Sequence, residues 1–316
     1  MRHSHSQTLE ARSDRIRWMN LGKRDYSSGA AQRSLSAMLL RRIILAHSVM
    51  LVAMMGILSS AAFSQGNDQG TIPDVQDIVE KANCAAYYQG HDGRARVSMT
   101  ITDKAGKTRT REFIVLRRNV PSTAKRPCAD QQFYVYFERP ADVNKMAYLV
   151  WKHLDRDDDR WLYLPALDLV NRIAATDKRT SFVGSDFFYE DVSGRNIDED
   201  EHELLETTAE HFVLKNTPKN PHSVEFSYYL MRIRRGSFVP DEATFFDRNG
   251  ENYRVYRALK IETIQDFPTV TEAQMEDLRT GSTTTVRYTD IKYDIGLPEE
   301  VFSERYLRRP PRAYLR

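Results

Sequence analysis

Five histidines lie downstream of residue 65 and could act as bases or metal ligands: His91, His153, His202, His211 and His222. No two stand at the H-x-x-x-H spacing that puts both rings on one helix face. Neither Cys84 nor Cys128 sits at zinc-ligand spacing from any of them. Lone histidines of this kind are ordinarily surface or hydrogen-bonded side chains. Gly184-Ser185 and Gly236-Ser237 lack the G-x-S-x-G frame of a nucleophile elbow, and no glycine-rich loop could cradle a phosphate. The acidic run Asp155-Arg156-Asp157-Asp158-Asp159 lacks the ligand spacing and distal Glu of an EF-hand and reads as a solvated turn. The sequence therefore assigns no catalytic residue, no metal and no cofactor, and the chain is read as a protein that is not an enzyme.

The chemistry on offer is apolar. Phe133-Tyr134-Val135-Tyr136-Phe137 is aromatic at both parities, and Trp151, Trp161, Leu162, Tyr163 and Leu164 follow closely. A strand with one wet face alternates apolar and polar residues, so strands without that alternation are covered on both faces. One face can pack on a helix while the other faces a cavity. An apolar cavity holds acyl chains by buried area, at ~0.8 kcal/mol per methylene, and needs no reactive group. The same density also suits an ordinary close-packed core, and these residues alone leave both readings open.

The elements that must position these residues are mostly strands. A helix should begin at Asp74, which can cap it with Asp77 three residues on, and Val75, Ile78, Val79 and Ala82 give it one apolar face. Gly90 and Gly93 close it. From Arg94 the period becomes two: Val97, Met99 and Ile101 alternate with Arg96, Ser98 and Thr100. Strands are expected over 94–102, 108–117, 132–138, 145–152, 160–165 and 169–174. They resume over 203–208, 211–216, 223–234, 239–247, 253–265, 274–277 and 282–294, with Asn249-Gly250 as a turn. Residues 180–192 break the pattern and read as a short helix or ordered loop. Many strands joined by short turns, with an early helix, give a mainly β (α+β) fold, an antiparallel barrel or strongly curved sheet.

The leader sets the compartment. Arg41-Arg42, the apolar run Ile43–Leu58 and the small-residue stretch Ser59–Ser64 are the three parts of a cleaved secretory signal over residues 38–64. Residues 1–37 lie upstream of a segment that normally starts a protein, and Met38 makes a start codon. They read as a gene-model extension or a disordered leader. Residues 65–73 form a linker, and 308–316 a basic tail whose arginines either reach anionic lipid head groups or end the chain in disorder. No cysteine stands at the cleavage site for lipid attachment, so the mature protein is expected free in the periplasm. The whole chain is formally +2, yet residues 65–316 carry 37 basic and 41 acidic side chains, which gives no reason to expect nucleic acid as a partner. In an oxidising compartment Cys84 and Cys128 are a candidate disulfide, with two free buried thiols as the alternative.

Several blocks carry a family resemblance. Asp159–Leu167 with its W-L-Y-L-P core, Arg172-Ile173 and Ser181–Asp191 with its F-x-G-S-D-F core resemble outer-membrane lipoprotein-sorting proteins of the LolA-like superfamily. Phe137–Val143, Lys145-Met146, Asp290–Asp294 and Leu297–Phe302 are similar to the same family, and the resemblance covers about residues 74–307. It implies an incomplete antiparallel β-barrel around an apolar cavity with a helical lid. It further implies a monomeric periplasmic carrier of lipoprotein or lipid acyl chains, with transient membrane contact. A lipoprotein-release transporter, or one of the resistance–nodulation–division type, is the implied inner-membrane partner, and an accessory module of such a transporter is the alternative. On this reading Met99, Tyr134, Tyr136, Trp161, Tyr163, Leu164 and Pro165 form the cavity wall. Phe182, Phe187, Phe188 and Tyr189 form the lid or rim, with Asp186 and Asp191 fixing that segment by hydrogen bonds.

Overall fold

The computed structural model describes residues 73–121 and 128–316. The expected extension, signal and most of the linker lie outside them. Helix α1 runs Val75–Tyr87, and the Asp74 carboxylate accepts the Gln76 N–H at 3.2 Å. Ile78, Val79 and Ala82 pack on Phe212, Leu214 and Ile233. A disulfide joins Cys84, near the end of α1, to Cys128, with Cα atoms 5.9 Å apart. Closing that loop removes chain entropy from the unfolded state, by the entropic account about 4 kcal/mol.

Thirteen strands follow: β1 Asp92–Thr102, β2 Thr108–Asn119, β3 Gln131–Arg139, β4 Ala147–Lys152, β5 Asp159–Leu164 and β6 Leu169–Ile173. After a break come β7 Asp200–Thr207, β8 His211–Pro218, β9 Tyr228–Arg234, β10 Pro240–Phe246, β11 Asn252–Ile264, β12 Phe267–Asp277 and β13 Ser282–Tyr293. They form one open antiparallel sheet in the order β6-β5-β4-β3-β2-β1-β13-β12-β11-β10-β9-β8-β7. Two meanders are thus sewn together where β1 pairs with β13. The chain leaves one edge of the sheet at β6 and re-enters at the opposite edge as β7. The segment between them, which contains the five-residue helix α2 Tyr189–Ser193, therefore has to cross the sheet.

Two strand starts and the C-terminal tail depart most from the sequence reading. Strand β12 begins at Phe267, not near Gln274, because Gln265 and Asp266 both take positive φ (48° and 68°) and make a tight hairpin without a glycine. Strand β9 begins at Tyr228, since Val224 and Phe226 turn inward to pack with Tyr229 and Tyr253. The tail is ordered rather than disordered. Helix α3 Arg305–Arg308 and the residues after it bury Leu307 and Leu315 against the sheet, and the Tyr134 hydroxyl donates to the Tyr306 carbonyl at 2.8 Å.

The sheet between β2 and β5 is covered on both sides. Phe113, Phe133, Val135, Phe137, Tyr148 and Leu162 face one core. Their chain neighbours Ile114, Tyr134, Leu149 and Trp161 face another, completed by Leu297, Val301, Phe302 and Leu307. This is the period of two acting on strands with no wet face.

Candidate functional site

A cavity of about 400 Å³ lies between α1, the crossing segment and the inner face of the sheet. From α1 come Val79, Ala82, Ala86 and Tyr87; the alanines keep the helix surface low where the space opens. Strands β1 to β3 contribute Ala95, Phe113, Val115 and Phe133. The other meander contributes Met231, Ala243, Tyr256, Val270, Met275 and Tyr288. The volume lies in the range typical of small-molecule pockets, and the lining is predominantly apolar, as in most of them. Tyr87, Tyr256 and Tyr288 keep accessible surface although protein surrounds them, which is what lining an internal space requires. Burial, with Tyr293 nearby, pushes the Tyr288 hydroxyl up to about 12, so it stays neutral.

One end of the cavity is charged and internally neutralised. Glu190 is 2% exposed and lies 3.1 Å from Lys178, 2.5 Å from Arg179 and 3.3 Å from Arg195. Glu225 pairs with Arg179 at 2.6 Å, Asp200 with Arg195 at 2.9 Å, and Glu199 with Lys178 at 2.9 Å and Arg195 at 2.7 Å. Burial opposes ionisation of Glu190, but Arg179, Lys178 and Arg195 outweigh it and hold the carboxyl at about 2. At another part of the wall burial lowers Arg117 to about 10, and its guanidinium donates to Asn119 Oδ1 at 2.7 Å.

The crossing segment is pinned from below. Asp186 accepts from Ser282 and from Thr284 (2.6 Å), and Arg254 donates to the Asp186 carbonyl at 2.9 Å and pairs with Asp191. Phe188 stacks 4.0 Å from the Arg254 guanidinium. Phe182 anchors the segment among Phe113, Phe137, Tyr148 and Tyr189, with ring centroids 5.5–6.2 Å away.

Of the residues singled out in the sequence, Phe182 and Phe187 line the cavity. Tyr189 packs in the aromatic core beneath the segment, and Phe188 serves the arginine stack instead of the rim. The expected wall is corrected. Tyr134, Tyr136, Trp161 and Tyr163 project to the opposite face of the sheet, under the C-terminal segment. Met99 is on the cavity side but in solid core, Leu164 is half-buried against the same core, and Pro165 opens a 3-10 turn at the β5–β6 tip. The reason is parity. On a strand apolar at both parities, nothing in the sequence says which set meets the cavity, and a shift of one exchanges them. The lining that the sequence reading missed comes from single-faced strands such as β13, where Val286 and Tyr288 alternate with Arg287 and Thr289. That alternation was the available signal, because such a strand has one face for any interior.

Three of the histidines take structural partners, and His91 and His222 are exposed. His202, on the cavity wall, holds Asn216 Oδ1 (2.7 Å) and the Ile197 carbonyl (2.8 Å), His153 lies between Asp130 and Asp159, and His211 meets Asp241. Among the described residues no serine, threonine or cysteine side chain is hydrogen-bonded to a histidine ring, and no cluster of side chains is arranged to hold a metal ion. Asp158 binds Arg160, and Asp159 binds His153 and, on the neighbouring strand β6, Arg172. No described helix is long and apolar enough to cross a membrane.

A family model described as an uncharacterized protein matches residues 129–309. Among solved structures, the chain is similar to a DUF1329 family protein from Desulfovibrio piger, at 29% identity and a TM-score of 0.67, over 75% of this chain and 100% of that one. It is similar to a domain assigned as an outer membrane lipoprotein-sorting protein from Vibrio parahaemolyticus, at 25% identity and a TM-score of 0.66, over 74% of this chain and 97% of that one. A LolA superfamily protein from Nitrosomonas europaea shares the fold at 22% identity and a TM-score of 0.56, over 74% of this chain and 100% of that one. No curated protein matches the chain.

Proposed function

The chain belongs to the family whose model, described as an uncharacterized protein, matches residues 129–309, and from its likeness to lipoprotein-sorting and LolA superfamily structures we propose that it is a LolA-like periplasmic carrier of acyl chains. The observation that carries this reading is the cavity of about 400 Å³ with its mostly apolar wall, held between α1 and the sheet. Each methylene moved from water into such a wall gains ~0.8 kcal/mol, so a single fatty chain supplies useful affinity without any polar contact. Mechanistically, α1 and the crossing segment form a roof over the sheet. The charged cluster around Glu190 is satisfied within the protein, so the ligand is recognised by shape and area rather than by charge.

The test is to express the full chain in a bacterium, purify it from the periplasm without detergent, and identify co-extracted molecules by mass spectrometry of an organic extract. A stoichiometric phospholipid, polycyclic lipid or acylated peptide supports the carrier reading and names the cargo class. A folded, empty protein that also refuses added lipid defeats it and favours an accessory subunit of an inner-membrane transporter.

Two neighbouring residues should separate roof from scaffold. Phe187→Ser opens the cavity wall and should lower lipid retention with little change in melting temperature. Phe188→Ser removes the ring under Arg254 and Arg179 and should instead destabilise the fold, by about 1–3 kcal/mol. Thermal melts and lipid retention on both variants check this, and equal effects at the two positions would refute the assignment.

A further inference from the structure

The β5–β6 hairpin ends at the sheet edge in Pro165-Ala166-Leu167-Asp168-Leu169, where Leu167 is 71% and Leu169 46% exposed. Large apolar side chains this open at a turn gain nothing from folding. The tail lies directly against this tip. Arg308 donates to Asp168 Oδ1 at 3.0 Å and to the Asp168 carbonyl at 3.2 Å, and Tyr163 also donates to that carboxylate at 3.2 Å. The acidic residue between the two leucines is thereby neutralised.

The tail is built as a platform. Leu307, Pro311 and Leu315 point into the protein at intervals of four, and Arg305, Arg308, Arg309, Arg312 and Arg316 all point out. Residues 305–316 contain no aspartate or glutamate. Among the described residues, Arg305, Arg309, Arg312 and Arg316 have no carboxylate within ion-pair distance. Residues 65–304, by contrast, carry 41 acidic and 32 basic side chains. The positive charge is therefore concentrated beside the two exposed leucines on an otherwise acidic protein, which gives the molecule a preferred orientation in a field.

We propose that this corner docks on an anionic membrane surface, with Leu167 and Leu169 entering the interface and the tail arginines lying over acidic lipid head groups. Juxtaposed apolar prongs and unpaired cations are the complement of such a surface, where area and charge attraction act together. The role serves the carrier reading, but its physics is independent of the cavity: vesicle binding reads the corner, lipid retention reads the interior.

The experiment is flotation of the purified protein with phosphatidylcholine vesicles, with and without added phosphatidylglycerol. The protein should float only with phosphatidylglycerol, and rising salt should release it. Changing Arg305, Arg309, Arg312 and Arg316 together to Gln should weaken binding by about tenfold or more. The separate pair Leu167→Ser and Leu169→Ser should also weaken it. Both variants alter exposed side chains and spare the Arg308–Asp168 contact, so their melting curves should match the parent. Absence of phosphatidylglycerol-dependent flotation, or undiminished flotation of both variants, overturns the proposal. So does binding to polyglutamate with vesicles ignored, which would assign the corner to an acidic protein.

Discussion

Replacing Glu190 by Gln should cost about 3 kcal/mol of folding stability at neutral pH, because Lys178, Arg179 and Arg195 lose the buried carboxylate they share and keep only their other acidic partners. Glu190 sits on α2 in contact with Lys178, Arg179 and Arg195, and the three cations are themselves largely buried. The remaining acids Glu199, Asp200 and Glu225 are each already engaged by one or two of the same cations. Gln keeps the shape but removes the charge, so the loss is electrostatic. The pH dependence follows from the low carboxyl pKa. Its folded value of about 2 lies below the unfolded value of 4.5, so the unfolded chain takes the proton first. The stabilisation is complete above the unfolded value and is lost as pH falls from there through about 2. A shift of that size corresponds to roughly 3 kcal/mol, in line with the cost of the substitution. Denaturant melts should therefore show parent and variant far apart at pH 7 and converging in acid. A variant as stable as the parent at neutral pH would mean that the cluster does not hold the crossing segment.

Ala95→Trp should empty the cavity while leaving the protein folded. Ala95 stands on β1 opposite Val115, and both line the cavity. Adding bulk to a close-packed core costs about 1–3 kcal/mol, but here the indole enters space that is already open, so the cost should be at the low end. Excluding three methylenes of a bound chain forfeits about 2 kcal/mol, which is a drop of some thirtyfold or more in affinity. The measurements are the amount of co-purified lipid per protein and the melting temperature of the lipid-free form. Full retention of lipid by a well-folded variant would place the acyl site elsewhere.

The two substitutions bear on different levels of the architecture. Glu190 is part of the clamp that carries the chain from one sheet edge to the other, and the cavity exists because that clamp and α1 are held over the sheet. The pinning contacts are made by residues far apart in sequence: Arg254 on β11 and Ser282 and Thr284 on β13 reach Asp186. A break in the clamp should therefore be felt at the cavity as well as in the melting curve.

Much of this protein follows from local chemistry. The alternation from Val97 to Ile101, the Asn249-Gly250 turn and the Asp74 cap each specify an element through the backbone geometry of a few neighbours, and the structure has them. The aromatic density of residues 133–137 likewise required a strand covered on both sides. Which side meets the cavity was decided only by the tertiary structure. The C-terminal segment occupies one face of β2–β5 with Leu297, Val301, Phe302 and Leu307, and that leaves Phe113 and Phe133, not Tyr134 and Trp161, toward the interior. The glycine-free hairpin at Gln265-Asp266 and the crossing of residues 174–199 from edge to edge were likewise set by pairing between distant strands. A period of two records that a strand has two faces. The occupant of each face is fixed by contacts between residues a hundred or more positions apart, and those contacts leave no local mark in the sequence.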